Sequence, residues 1–80
     1  MAIDILIYTT PGCPDCAALK RWLDERDVVY EERDLSQPGM AEQARARCGV
    51  RIAPVTVVGG QCFWGTFAEQ KPRLEAVLNG

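Results

Sequence analysis

Tyr8-Thr9-Thr10-Pro11-Gly12-Cys13-Pro14-Asp15-Cys16 is the stretch on which the fold turns. Before it, Ile3, Ile5, Leu6, Ile7 and Tyr8 form a β-branched and aromatic run, nearly continuous, as expected of a strand covered on both faces. Thr9-Thr10-Pro11-Gly12 ends that run as a loop. From Pro14 to Arg26 the apolar residues Cys16, Leu19, Trp22 and Leu23 recur at three- and four-residue intervals, with Lys20, Arg21, Asp24 and Glu25 elsewhere, which is the pattern of an amphipathic helix. Two cysteines three apart therefore fall between a strand and the first turn of a helix.

At a helix mouth the unpaired N–H groups and the positive end of the dipole favour a thiolate over a thiol. Cys13 is expected at that mouth, accessible, with Cys16 inside. Cys13 would then attack a substrate disulfide and Cys16 resolve the mixed disulfide. Pro14 suits the first helical position, where its missing N–H has no intrahelical partner. Asp15 acts in two senses, since an acid in the first turn steadies the helix while a carboxylate near Cys13 disfavours its thiolate; Lys20 and Arg21 are candidates to offset the second effect. The competing use of C-x2-C, half of a four-ligand zinc site, lacks its other half: the chain has no histidine and no second C-x2-C, so no metal is expected.

Outward from this motif the chain alternates strands and helices. Val28, Val29 and Tyr30 lead into Glu31-Glu32-Arg33-Asp34-Leu35, whose acidic character suits a sheet edge. Met40, Ala41, Ala44 and Cys48 trace one face of a second helix that Gly49 can close. Pro54-Val55-Thr56-Val57-Val58 is the strongest strand, and Gly59-Gly60 predicts a tight hairpin into Gln61-Cys62-Phe63-Trp64. In the last segment Thr66 and Glu69 spell a capping box, but Pro72 would then sit inside the helix. The expectation is a later start, with Pro72 in the first turn and Leu74, Val77 and Leu78 buried. The order β-α-β-α-β-β-α implies an α/β domain over residues 1–80, with a mixed four-stranded sheet and helices on both faces.

Composition narrows the function. Eighty residues with 48% apolar and 25% charged content fit one domain with one site, and the net charge of −2 leaves no basic footprint for nucleic acid or anionic lipid. The first ten residues lack a basic n-region and carry Asp4, so they read as a strand rather than a signal peptide, and no apolar run approaches the roughly 18–20 residues that span a bilayer. A cytoplasmic protein with no membrane association is expected. Cys48 and Cys62 read as buried small hydrophobes, and a secreted disulfide framework is disfavoured by the cysteine spacing.

Tyr8-Thr9-Thr10-Pro11-Gly12-Cys13-Pro14-Asp15-Cys16, Lys20 in the following helix and a proline opening the hairpin strand resemble the glutaredoxin family over essentially the whole chain. The resemblance implies the thioredoxin fold and a dithiol thiol–disulfide oxidoreductase acting on protein disulfides, a monomer without a bound cofactor. It implies that Pro54 follows a cis peptide bond and that Ala53 offers its backbone to the substrate. It also brings Pro11, Pro14, Asp15, Trp64 and Phe67 into the candidate substrate surface.

Glutaredoxins usually carry a basic residue three before the first cysteine, a Gly-Gly after the hairpin and an acidic pair that grips glutathione. Here those places hold Thr10, Trp64-Gly65 and Phe67-Ala68. Trp64-Gly65-Thr66-Phe67 with Pro72 soon after looks more like the NrdH-redoxins, which resemble glutaredoxins but take electrons from thioredoxin reductase and NADPH. Trp64 and Phe67 read equally as core aromatics at the end of the sheet or as partner-docking residues. The competing functions are a glutathione-dependent glutaredoxin and a non-enzymatic iron–sulfur cluster carrier; family members of the second kind generally keep a single active-site cysteine.

Overall fold

The computed structural model describes residues 5–50 and 52–79. Ile3 and Asp4 of the first apolar stretch lie outside the described residues. The elements are β1 (Ile5–Thr9), α1 (Pro14–Glu25), β2 (Glu31–Asp34), α2 (Met40–Cys48), β3 (Val55–Val58), β4 (Gln61–Trp64) and α3 (Phe67–Asn79). They form one four-stranded sheet in the order β2-β1-β3-β4, with β1 parallel to β2 and antiparallel to β3, and β3 antiparallel to β4.

Each placement follows from the side chains. All five residues of β1 and all four of β3 are buried, as befits central strands covered on both sides. The charged β2 takes one edge, where water can reach its side chains. Gly59 and Gly60 adopt φ values of +55° and +90°, the left-handed pair that a two-residue hairpin turn requires.

Alternation along the strands divides the core in two. Ile5, Ile7 and Val58 pack with Leu19 and Leu23 of α1 and Leu74 of α3 on one face. Leu6, Tyr8, Val55 and Val57 pack with Ala44 of α2 on the other. The α2 layer is thin: Ala44 is the only buried residue of that helix. A polar pin adds to it, since the hydroxyl of the fully buried Tyr8 donates to Gln43 Oε1 at 2.7 Å and Arg33 donates to the same oxygen.

Two expectations are corrected. The last helix begins at Phe67, so Pro72 lies inside it rather than in its first turn. The capping box forms: Glu69 N–H donates to Thr66 Oγ1 and Thr66 N–H donates to Glu69 Oε1, both at 3.1 Å. The bond lost to Pro72 belongs to the carbonyl of Ala68, and because both residues are exposed, water can solvate that carbonyl.

The second correction concerns Cys48 and Cys62, which are joined in a disulfide (S–S 2.06 Å, Cα–Cα 5.7 Å) rather than being separate apolar fillers. The register explains it. Cys62 pairs with Val57 and so points to the α2 face, where the last residue of α2 is Cys48. With a sequence separation of 14, the chain-entropy model gives such a link about 3 kcal/mol of stabilisation.

Candidate functional site

Cys13 is the N-cap of α1, in extended conformation (φ −91°, ψ 111°), and Pro14 occupies the first helical position. The Cys16 backbone N–H donates to Cys13 Sγ at 3.1 Å, so a sulfur fills the role that a serine or aspartate oxygen plays at ordinary helix starts. Both thiols are free, Cys13 half-buried and Cys16 2% exposed. The accessible sulfur and the enclosed sulfur are thus one helical turn apart, as the spacing requires.

Burial, foremost, pushes the Cys16 thiol up to about 11 from an ordinary 9.0; the Cys13 side chain adds to this, while the Thr10 backbone and Lys20 work against it. Cys16 is therefore held as a neutral thiol at neutral pH. The unfolded chain loses this proton near 9.0 and the folded chain near 11, so the stabilisation is complete below pH 9.0 and is lost as pH rises toward 11. Urea unfolding of the reduced protein should show a decline of up to about 3 kcal/mol across that window. Cys16→Ala should flatten the decline by that amount; parallel curves for the two proteins would refute the assignment.

Pro11, Gly12, Cys13, Pro14 and Cys16 line a cleft of about 380 Å³ together with Thr10, Lys20, Glu32 and Asp34. Glu32 from β2 accepts from Thr9 Oγ1 at 2.7 Å and from Lys20 Nζ at 3.1 Å. Its carboxyl is held below the usual range, first by the Thr9 hydroxyl and then by Lys20, and the Lys20 ammonium is held above its usual range by the hydrogen bond to Glu32. Lys20, the one cation among the described residues that line the cleft, is therefore already engaged by a carboxylate.

The remaining candidates separate. Val55 pairs with Tyr8, so Pro54 enters the sheet at the Thr9 end of β1, the end from which the Cys13 loop departs. The Ala53–Pro54 peptide is cis, Pro54 is fully buried and Ala53 half-buried. Trp64 is 45% exposed, whereas the Phe67 ring meets Trp22 edge-on at 5.9 Å and packs on the core. Of the two aromatics, only Trp64 is a surface group. Asp15 turns from the cleft to α3: its Oδ1 accepts the Phe67 backbone N–H at 3.2 Å, so one carboxylate serves the N-terminal ends of two helices.

Sequence reasoning missed Gln70. It is fully buried; its Oε1 accepts from Thr56 Oγ1 at 2.7 Å, and its Nε2 donates to the carbonyls of Pro54 at 2.8 Å and Gly65 at 3.1 Å. It ties α3 to the segment carrying Ala53 and Pro54. Its place four residues before the buried Leu74 was the available signal.

Residues 5–63 match the family model for glutaredoxin. Glutaredoxin 1 of Rickettsia felis is 53% identical over 83 aligned residues, covering 95% of this chain and 81% of that protein. The glutaredoxin-like protein NrdH of Lactococcus lactis is 29% identical, covering 76% of this chain and 85% of that protein. A crystal structure of a variant of the thioredoxin-like protein BC3987 superposes with a TM-score of 0.85 at 27% identity, covering 95% of this chain and all of that one. The chain spans 26% of the length of another relative, the hybrid peroxiredoxin hyPrx5 of Haemophilus influenzae.

Proposed function

From the premise that the chain belongs to the glutaredoxin family of thiol–disulfide oxidoreductases, we propose that it reduces protein disulfides through Cys13 and Cys16 and draws its electrons from thioredoxin reductase and NADPH. The observation that carries the exchange chemistry is the capping geometry: Cys13 Sγ accepts the Cys16 N–H at the open cleft while the Cys16 thiol is enclosed. The Cys13 thiolate attacks one substrate sulfur, the substrate disulfide breaks, and the displaced thiolate takes a proton from water. Cys16, giving up its proton, then attacks Cys13 Sγ and expels the second substrate thiolate, leaving a Cys13–Cys16 disulfide. Two electrons pass from the protein to the substrate.

The substrate would lie over Pro11 and Pro14 against the Ala53 backbone and Pro54, with Trp64 as its apolar contact. Asp15 and Phe67 act indirectly, by joining α1 to α3. The choice of reductant is supported by the cleft. A tripeptide with two carboxylates would meet Glu32 and Asp34, Thr10 in place of a cation, and a Lys20 already paired. We place the protein in the cytoplasm, acting as a monomer.

The test offers the oxidised protein either thioredoxin reductase or glutathione with its reductase and follows NADPH consumption. Turnover at least about tenfold faster with thioredoxin reductase is expected, since exchange rates follow the fit and access of the attacking thiol. Turnover with glutathione alone would overturn the assignment.

A further inference from the structure

We infer that Cys48–Cys62 is a second exchangeable disulfide, opened by the Cys13/Cys16 dithiol of another copy of the chain, and that its opening loosens the segment presenting Ala53. The inference rests on the exchange activity proposed above.

The link holds two parts that are otherwise weakly joined. Ala44 is the only buried residue of α2, and Gln43 of that helix is held by hydrogen bonds from Tyr8 and Arg33. The stretch between the two cysteines runs from Gly49 in left-handed conformation (φ +76°), through Ala53 and Pro54 and all of β3, to β4. The disulfide thus closes a loop that contains the substrate-facing segment, and reducing it frees the end from which that segment leaves α2.

Both sulfurs belong to half-buried residues, so an external thiolate has a route to them. The chain's own Cys13 does not. Cys62 lies on the rung Leu6–Val57–Cys62, three residues along from Thr9 and two strands across. That separates it from the Cys13 end of the sheet by roughly 10 Å along the strands and another ~10 Å across them, while a disulfide needs Cα atoms within about 7 Å. A second copy must supply the thiolate. Disulfides of cytosolic proteins are in the main catalytic or redox-sensing, which agrees with an exchangeable pair in the compartment proposed.

The step balances. Cys13 of one copy attacks a sulfur of the Cys48–Cys62 pair, that bond breaks, an intermolecular disulfide forms and the freed thiolate is protonated. Cys16 then attacks Cys13 Sγ and releases the second thiolate. One copy ends with a Cys13–Cys16 disulfide, the other with two thiols at 48 and 62, after a transfer of two electrons.

The experiment uses the full-length Cys13→Ser/Cys16→Ser variant, which keeps only the second disulfide, as substrate for reduced wild-type chain, with alkylation and peptide mass mapping of Cys48 and Cys62. Insulin serves as a parallel substrate. The wild-type chain should open the pair about tenfold faster than an equal concentration of dithiothreitol. Reduction of insulin with no such acceleration overturns this inference and leaves the proposed function standing; reduction of neither overturns both. A redox titration of the wild-type chain, independent of the variant's folding, should label Cys48 and Cys62 in a step separate from Cys13 and Cys16. Failure of that pair to be labelled before global unfolding makes it a static staple. For control of the site, Cys48→Ala/Cys62→Ala should raise the KM for insulin about threefold with kcat kept, and an unchanged KM refutes that part.

Discussion

Cys13→Ser is expected to lower disulfide reduction by roughly a thousandfold or more, because a serine alcohol does not ionise at neutral pH and no other nucleophile stands ready among the described residues of the cleft. Among the groups lining that cleft the only other sulfur is Cys16, which is 2% exposed and holds its proton to about 11. Cys16→Ser should fail differently. The first attack remains possible, the resolving step does not, and the protein should accumulate as a mixed disulfide with its substrate. Intact-mass analysis after incubation with a disulfide-bonded peptide separates the two outcomes: an adduct for Cys16→Ser, none for Cys13→Ser. Full reduction activity in Cys13→Ser would refute the assignment of roles. The two cysteines differ in consequence because α1 places one sulfur at its cap and the next inside its first turn.

Where local rules agreed, the sequence was enough. The β1 run, the helix behind Pro14, the Gly59-Gly60 turn and the acidic edge strand each pointed one way, and the structure has all four. The start of α3 was illegible because two local rules conflicted, the Thr66/Glu69 box against Pro72. Partners distant in sequence decide it: Asp15 accepts the Phe67 N–H from 52 residues away, and Gln70 reaches back to Pro54. The Cys48–Cys62 link was hidden for a similar reason. Knowing that Cys62 faces α2 requires the β3–β4 register, and knowing that Cys48 arrives there requires the end of α2. Trp64 and Phe67, equivalent as letters in a sequence, part because they stand on opposite sides of Gly65, one on a strand and one on a helix.

Gln70→Ala is expected to destabilise the protein by about 2–4 kcal/mol, more than most polar replacements, because it strands a buried donor and two carbonyls at once. Thr56 Oγ1 loses its acceptor, the Pro54 and Gly65 carbonyls lose their shared donor, and the fully buried site is left with a void. At roughly 4–8 °C per kcal/mol for a domain of this size, the melting temperature should fall by about 10–30 °C in a calorimetric scan. A drop of under about 2 °C would show that the network carries no such weight. Gln70→Glu tests the same geometry through charge. One carboxylate oxygen can still accept from Thr56, but the other would face two carbonyls in a dry site, so the glutamate should fold protonated with its pKa raised. Its stability should then be greatest at acid pH and decline as pH rises past the ordinary glutamate range, a slope the parent lacks at this position. Because Nε2 also fixes the carbonyl of Pro54, both variants should raise the KM for disulfide substrates while Cys13 keeps its cap on α1. A kcat loss with KM unchanged would place the effect at the thiols instead of at the segment that Gln70 holds.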